Sequence, residues 1–350
     1  MPTEMKYPRL LISCLLTACL FASSYPQTPV GQDDVIRVET DLTNLFFTAT
    51  NKHKNFVITL REEDIALTED GVPQKIVTFQ RETDRPLTIA VLIDVSASQE
   101  RTLSQEKGAA RSFIETIIQS SKDEVAIIPF THAAFVEQGL TRDVLGIYRA
   151  LERVEVAMPT YLGTGPPLTG ITSGPGMKAP PLDGSTAIWE AVVLSAHGVL
   201  ATSRGQRRRA IILLTDGQDT SSRLMRSEAI REALATETVV YGIGIGDKRY
   251  GIDHAAVRAI AEGTGGRAFF PKRDGDLKAA FAQIEQELRS QYLVAYTSTN
   301  KKRDGAYRQM NLAVTNPALQ KDKLQLRYRP GYYAIESRPQ PRKFRLQRLR

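Results

Sequence analysis

Residues 88–98, TIAVLIDVSAS, decide the fold of this chain. The first six residues form an apolar run that is rich in β-branched side chains and carries no charge, which predicts a buried strand. Asp94, Ser96 and Ser98 then follow at every second position, where the strand should end. Ligands bind at the carboxyl ends of strands in open α/β sheets. One carboxylate and two hydroxyls are hard oxygen ligands that suit Mg²⁺ or Ca²⁺ better than a soft metal.

The middle of the chain, residues 86–291, alternates strands and helices. The runs VAIIPF (residues 125–130) and AIILLT (residues 210–215) resemble the first strand, and segments of helical periodicity separate them. Continuous apolar strands in this order predict an α/β fold, with a doubly wound, mostly parallel, Rossmann-like sheet. An edge strand is expected at residues 133–136. A helix is expected at residues 187–200, with a hydroxyl residue just before it as its N-cap.

The two flanks of this region are predicted to be β-rich, at residues 35–85 and 292–335. The first flank contains an Asp70-Gly71 pair between two apolar runs, which is a strong hairpin signal. Each flank has too few strands to bury a core alone. We therefore expect the flanks to pair into one small β-sandwich-like domain, with the α/β domain inserted between its halves.

The first 26 residues resemble a signal peptide, with a basic start, a short apolar stretch and small residues at its end. They predict export to the periplasm or the extracellular space. Both cysteines of the chain, Cys14 and Cys19, lie in this segment. Two processing routes stay open: ordinary cleavage, which leaves no cysteine, or attachment of a lipid to Cys19 in the lipobox-like sequence LTAC.

The formal net charge of +7 is concentrated at the end of the chain, where six basic residues fall within the last fourteen. The folded part is therefore nearly neutral, and no nucleic-acid partner is expected. Residues 336–350 are predicted to be a disordered basic tail, with contact to an anionic membrane surface as its alternative role. Residues 158–183 hold six prolines and five glycines without periodicity, and we expect this loop to overlie the same sheet edge as Asp94.

Three short motifs should meet at that edge. They are DVSAS (residues 94–98), DGST (residues 183–186) and LTDGQD (residues 214–219). Their order and types resemble the von Willebrand factor type A (VWA) domain with a metal-ion-dependent adhesion site (MIDAS), over residues 86–291. The hairpin sequence EDGVPQK (residues 69–75) also resembles bacterial exported proteins in which such a domain follows a short β region.

The resemblance implies a metal site and a kind of partner. It implies that Ser96, Ser98 and Thr186 bind a divalent ion through their hydroxyls, and that Asp94 and Asp216 act largely through ordered water. Mg²⁺ is the expected ion, with Mn²⁺ or Ca²⁺ as alternatives. Neutral direct ligands would leave the ion electrophilic, with one position open for an Asp or Glu carboxylate of a partner protein.

Asp219 is not included among the expected metal ligands, because we expect it to cap the following helix. The favoured function is a non-enzymatic adhesion or scaffold module that binds proteins through the metal. The alternative is a metal-assisted hydrolase or phosphotransferase, which would need a general base close to the ion. The sequence offers Glu190 for that role, one helical turn after Thr186. No catalytic residue is assigned.

Overall fold

The computed structural model of this chain describes residues 42–82, 85–118, 122–157, 185–203, 207–247, 249 and 251–336. The predicted signal peptide, the loop at 158–183 and the tail beyond residue 336 lie outside the described residues. The described residues belong to one compact unit. None of the helices described is long and apolar enough to cross a membrane.

The regular elements follow the order expected from the sequence. The strands are β1 (Leu42–Thr50), β2 (Ile65–Glu69), β3 (Val72–Gln74), β4 (Ile76–Arg81), β5 (Leu87–Asp94), β6 (Glu124–Phe130), β7 (Gln138–Thr141), β8 (Arg208–Thr215), β9 (Thr238–Gly244), β10 (Ala268–Phe269), β11 (Tyr292–Thr297), β12 (Tyr307–Val314), β13 (Gln325–Tyr328) and β14 (Gly331–Tyr333). The helices are α1 (Leu103–Ile117), α2 (Val144–Arg153), α3 (Ile188–Val193), α4 (Arg226–Ala235), α5 (His254–Gly263), α6 (Asp274–Arg289) and α7 (Pro317–Lys321).

The α/β layer is built on a six-stranded sheet in the order β10-β9-β8-β5-β6-β7. β5 lies between β8 and β6 and pairs in parallel with both, whereas β7 is antiparallel. Successive β5 side chains point to opposite faces. Ile89, Val91 and Ile93 pack in the cluster that contains α1, α2 and α6, while Ala90 and Leu92 pack in the cluster of α3, α4 and α5. The predicted doubly wound, mostly parallel α/β sheet is therefore confirmed.

Two local predictions in this layer are wrong. The edge strand lies at Gln138–Thr141 and not at residues 133–136. A tight turn occupies the earlier position, because Thr131 N–H donates to the Ala133 carbonyl and Phe135 N–H donates back to the Pro129 carbonyl, each at 2.9 Å. The helix expected at residues 187–200 is α-helical only through α3, and continues as a π-helical segment and a short 3₁₀ turn.

The flanks form two four-stranded sheets that share one apolar core, and this pair of sheets is called the sandwich below. Their orders are β13-β1-β11-β4 and β14-β12-β2-β3, so each sheet contains strands from both ends of the chain. β11 pairs antiparallel with both β1 and β4. Phe47 stacks on Tyr292 with ring centroids 5.1 Å apart, and Phe79 contacts both rings. The strands that precede and follow the α/β layer therefore complete each other's sheets.

The hairpin motif of residues 69–75 connects the two flanks. Asp70 and Gly71 have φ of 48° and 80°, the left-handed values that a two-residue turn between β2 and β3 requires. Glu69 is buried and accepts hydrogen bonds from the Tyr296 and Tyr332 hydroxyls at 2.7 and 2.9 Å. Strand β3 ends at Gln74 and β4 begins at Ile76, and the two strands belong to different sheets. The motif thus ties the N-terminal hairpin to strands that lie more than 200 residues later.

Candidate metal centre

The first part of the candidate site is the end of β5. Asp94 is fully buried, and its Oδ1 accepts a hydrogen bond from Ser96 N–H at 3.0 Å. Its Oδ2 accepts a second bond from the Thr215 hydroxyl at 2.7 Å. Since Thr215 is the last residue of β8, this bond joins the ends of two neighbouring parallel strands. The carboxylate is therefore held in one orientation at the carboxyl edge of the sheet.

The second part is Asp216, which follows β8 and is also buried. Ser98 Oγ donates to Asp216 Oδ2 at 2.7 Å, and Ser96 Oγ lies 3.0 Å from Ser98 Oγ. Gln218 N–H donates to the other carboxylate oxygen at 2.9 Å. The structure thus brings Asp94, Ser96, Ser98 and Asp216 into one hydrogen-bonded network.

The glycine after Asp216 is needed for this arrangement. Gly217 has a φ of +81°, and a Cβ atom there would lie 2.8 Å from the Asp253 carbonyl oxygen. Asp253 N–H in turn donates to the Asp216 carbonyl at 2.7 Å, just before α5 begins. A larger residue at 217 would therefore push α5 away from the segment that carries Asp216.

Thr186, the fifth candidate ligand, is held from both sides. Its N–H donates to the Thr220 hydroxyl at 2.8 Å, and Thr220 N–H donates to its carbonyl at 2.9 Å. The next residue, Ala187, donates its N–H to the Thr131 carbonyl at 2.7 Å. Because residues 131 and 220 follow the two strands that flank β5, Thr186 lies over the end of β5. Thr186 is 4% exposed, so it occupies a nearly buried position at this edge of the sheet.

The electrostatics of the site favour a bound cation. Burial raises the pKa of Asp94 to about 6, and the nearby charge of Asp216 adds to the increase. Burial also raises the pKa of Asp216. Among the described residues, no Lys, Arg or His forms an ion pair with either carboxylate. Two buried acids without a basic partner are stable in their charged form only if a cation joins them.

A third buried acid lies nearby on α1. Glu106 is fully buried, and neither of its carboxyl oxygens has a hydrogen-bond partner in the part of the structure described. Burial, with contributions from the charges of Asp94 and Asp216, raises its pKa to about 8. The three acids do not form a His/Cys/Asp/Glu cluster of the kind that holds a metal ion by itself. Glu106 is therefore a neighbour of the site rather than a ligand.

The chemistry of the five candidate residues fits a hard divalent ion. Three hydroxyls and two carboxylates offer oxygen alone, and the described ranges contain no group of three or more His, Cys, Asp or Glu suited to a softer metal. The residues present therefore fit Mg²⁺, Mn²⁺ or Ca²⁺.

Asp219 does not cap the following helix, and that prediction is wrong. Its Oδ1 accepts from Ile188 N–H at 2.9 Å and from the Ser222 hydroxyl at 2.5 Å, so it caps the start of α3. The N-cap position of α3 is Ala187, which has no side-chain oxygen, and neither Ser185 nor Thr186 provides the cap. The following helix, α4, begins only at residue 226, where Glu228 accepts from the N–H of Met225 at 2.8 Å.

Glu190, the candidate general base, has a structural role. Its Oε1 accepts from the backbone N–H groups of Arg223 and Leu224 at 2.5 and 3.1 Å. Its Oε2 is buried without a partner in the described structure. One oxygen is thus committed to holding the loop between β8 and α4 against α3.

Sequence reasoning missed three residues that support the site. Thr215 and Thr220 orient Asp94 and Thr186 through their hydroxyls, and Glu106 places a third carboxyl group near them. A signal existed for two of them. Thr215 stands directly before Asp216 in the LTDGQD motif, and Glu106 falls on the apolar stripe of α1, three residues after Leu103. Thr220 had no local signal, because its role depends on a contact 34 residues away.

Comparisons with known proteins agree with this fold. Residues 177–285 match the family model of the von Willebrand factor type A domain, a range that includes Thr186 and Asp216 but begins after β5. No curated protein is significantly similar to the chain.

Three solved structures resemble it at low identity. BatB from Bacteroides thetaiotaomicron is 20% identical, with a TM-score of 0.41, over 58% of this chain and 99% of that one. A von Willebrand factor type A protein from Catenulispora acidiphila is 12% identical, with a TM-score of 0.46, over 84% and 74%. Proximal thread matrix protein 1 from the mussel byssus, with a zinc-occupied MIDAS motif, is 18% identical, with a TM-score of 0.44, over 64% and 50%.

This chain therefore spans half the length of the mussel protein. Likeness at these levels carries no argument about function. The family match and the observed sheet topology agree on the architecture. Within the α/β layer, residues 177–285 match the von Willebrand factor type A domain model, and the layer has the mostly parallel sheet with helices on both faces.

Proposed function

We propose that this chain binds one divalent cation at Asp94, Ser96, Ser98, Thr186 and Asp216, and uses it to capture a carboxylate of a partner protein. Mg²⁺ is the expected ion, with Mn²⁺ or Ca²⁺ as alternatives. One observation carries the proposal: the buried carboxylates of Asp94 and Asp216 lie in one hydrogen-bonded network with Ser96, Ser98 and Thr215, and within the described residues neither carboxylate forms an ion pair with a basic side chain.

The chain's own contacts prepare these groups. Thr215 and the Ser96 N–H hold the Asp94 carboxylate, and the Gln218 N–H holds that of Asp216. Pre-orientation of this kind lowers the entropic cost of binding. When bound, the ion would supply an electrophilic position that an Asp or Glu side chain can occupy.

The proposed role is that of an exported, non-enzymatic adhesion or scaffold module. The use of Glu190 as a backbone anchor supports this choice over a hydrolase or phosphotransferase, since it was the candidate base. The composition of residues 1–26 supports a location in the periplasm or outside the cell, with a lipid on Cys19 as an alternative anchor. The basic residues 336–350 would provide a secondary contact with anionic membranes.

Calorimetry tests the metal site directly. Metal-depleted protein should bind Mg²⁺, Mn²⁺ or Ca²⁺ at one site, because all the ligands are hard oxygens. Ser96→Ala and Thr186→Ala should each lower the affinity at least about tenfold, which corresponds to the loss of one direct contact of about 1.4 kcal/mol. Ser112→Ala on α1 is the matched control and should bind as the wild type does. Equal binding by Asp94→Asn would contradict the assignment.

A peptide library displayed against the Mg²⁺-loaded chain tests the partner chemistry. Selected peptides should contain an essential Asp or Glu, and their Asp→Asn or Glu→Gln counterparts should lose binding. EDTA and Thr186→Ala should have the same effect. Peptides that bind equally well with EDTA and to Thr186→Ala would place recognition elsewhere on the chain.

A further inference from the structure

A cavity of about 50 Å³ lies between the α/β layer and the sandwich. It is lined by residues of β1, the first residues of β8 and β9, the turn after α5, the end of α6 and β13. The metal site lies at the carboxyl ends of the parallel strands, whereas this cavity lies at their amino ends. It is therefore a separate feature of the molecule.

The lining of the cavity carries a positive charge. Four arginines line it, Arg208, Arg209, Arg327 and Arg329, against two glutamates, Glu237 and Glu287. Glu287 is further engaged by Arg267, with an N–O distance of 3.2 Å. The lining thus contains more guanidinium groups than carboxylates, which favours an anion over a cation.

Three side chains that line the cavity have hydrogen-bond donors without a partner. Thr48 is 2% exposed and Arg208 is 4% exposed, and within the described ranges the Thr48 hydroxyl and the Arg208 Nε–H bond to nothing. The Arg327 Nε–H is also buried and unpartnered there. An unsatisfied buried donor is unfavourable, because it has lost its hydrogen bonds to water without gaining new ones. Three such donors, all on side chains that line one cavity, leave this part of the structure short of hydrogen-bond acceptors.

The remaining atoms of these arginines show that their positions are well defined. Arg208 donates to the Leu288 carbonyl and to the Arg85 carbonyl, the latter at 3.0 Å. Arg327 donates to the Gly266 carbonyl at 2.9 Å. Carbonyl oxygens satisfy N–H groups but do not neutralise the charge. Burial lowers the pKa of both arginines, that of Arg208 to about 10. The charges of Glu82 and Asp123 near Arg208, and of Glu287 and Glu262 near Arg327, offset only part of this decrease.

We propose that this cavity binds one halide-sized inorganic anion, such as chloride, between the sandwich and the α/β layer. A water molecule needs about 10–15 Å³ of such volume, so the cavity has room for a compact anion or a few waters. Waters would accept the free hydrogen bonds but would leave the excess positive charge in place. The anion joins β1 and β13 of the sandwich to β8 of the α/β layer, and it stabilises that junction.

Unfolding in urea at constant ionic strength tests this site. Chloride or bromide should raise the urea midpoint of the full chain in a saturable manner relative to gluconate, which is too bulky for the cavity. Thr48→Val keeps the shape and removes one orphaned donor. This variant should be at least as stable as the wild type in gluconate, and its halide-dependent shift should be lost or clearly reduced. Arg111→Met on the exposed face of α1 is the control and should keep the whole shift.

A crystal grown in bromide gives an independent readout. An anomalous peak in the cavity, within hydrogen-bond distance of Thr48, Arg208 or Arg327, would support the proposal. Water density without an anomalous signal would overturn it. So would a halide effect of equal size in the wild type, Thr48→Val and Arg111→Met, since that would be a general salt effect. Stabilisation by sulfate alone, without a halide response, would contradict the proposed size of the anion.

Discussion

Two buried acidic sites in this chain use hydroxyl groups differently. In the sandwich, Glu69 takes hydrogen bonds from two tyrosine hydroxyls and from Ser298 Oγ at 2.5 Å, so both of its oxygens are satisfied from within the chain. At the edge of the parallel sheet, Asp94 and Asp216 each receive one hydroxyl and one backbone N–H.

The difference separates a structural acid from a binding site. Glu69 has three hydroxyl donors around a single carboxylate, and no further partner is needed. The sheet edge instead has two carboxylates close enough that the charge of Asp216 raises the pKa of Asp94, and the charges of both raise the pKa of Glu106. A buried excess of negative charge is neutralised either by protons or by a bound cation. The following predictions test this contrast, beginning with the largest expected effect.

The structural role of the Glu69 carboxylate can be tested by removing it. Glu69→Ala should lower the free energy of unfolding by about 3–5 kcal/mol, because it leaves buried tyrosine hydroxyls without their acceptor. Urea denaturation would measure the loss, which should be the same with Mg²⁺ or with EDTA. The exposed Glu62→Ala should change stability by no more than about 0.5 kcal/mol. A loss below about 1 kcal/mol in Glu69→Ala would mean that this carboxylate is not a structural centre.

The proposed metal site can be tested by comparing the stability of the chain with and without the ion. At a hundredfold excess over its dissociation constant, a divalent ion should stabilise the wild type by about 2.7 kcal/mol relative to EDTA. Asp94→Asn should lose this increment while keeping the metal-free stability close to that of the wild type, since the amide remains buried. Thermal unfolding with and without Mg²⁺ measures both quantities. A variant that keeps the full increment would show that the ion binds elsewhere.

The acidity of the site can be tested with pH. The folded-state pKa of Glu106, about 8, is above the ordinary value of 4.5, so the folded chain holds a proton that the unfolded chain has released. Its stability contribution is complete below about pH 4.5 and is lost as the pH rises towards 8, by at most about 1.4 kcal/mol per pH unit. Glu106→Gln should flatten this decline in EDTA. The urea midpoint between pH 5 and 8 is the measurement, and an unchanged slope would contradict the role of Glu106.

Substitutions at Asp219 test whether this residue caps α3 or belongs to the metal site. Asp219→Ala should cost about 1 kcal/mol, the usual loss for a helix N-cap, since it removes the acceptor for the first N–H of α3. Asp219→Asn keeps an acceptor and should cost less. Mg²⁺ affinity, measured by calorimetry, should stay within about twofold of the wild type. A tenfold fall in Asp219→Asn would bring Asp219 into the metal site.

Much of the α/β layer could be predicted from local sequence. The run before Asp94 is apolar at every position because β5 is buried on both faces, and that pattern depends on no distant residue. β6 and β8 have similar signatures. The edge strand β7 has no such signature, since all four of its residues are only partly buried. Its position is set by the turn at residues 131–137, which depends on backbone hydrogen bonds to β6.

The side chains of the candidate site also divide into those that local sequence predicts and those whose contacts depend on the tertiary structure. Asp94, Ser96 and Ser98 were recognisable because they lie on one short segment, and Asp216 because it ends a similar strand. The partners of Asp219 and Glu190 could not be found from sequence. Each acts across more than 30 residues on a backbone N–H, a group that every residue except proline has.

By itself, the sequence determined the strand and helix order, the apolar faces and the residue types at the end of β5, because these follow from local periodicity and side-chain chemistry. Only the tertiary structure decided which acids have partners. Glu69 is satisfied by hydroxyls more than 200 residues away. Asp94 and Asp216 lie close to each other, and in the part of the chain that the structure describes neither forms an ion pair with a basic side chain. The cost of burying a charge depends on what surrounds it in space, and distance along the chain does not encode those surroundings.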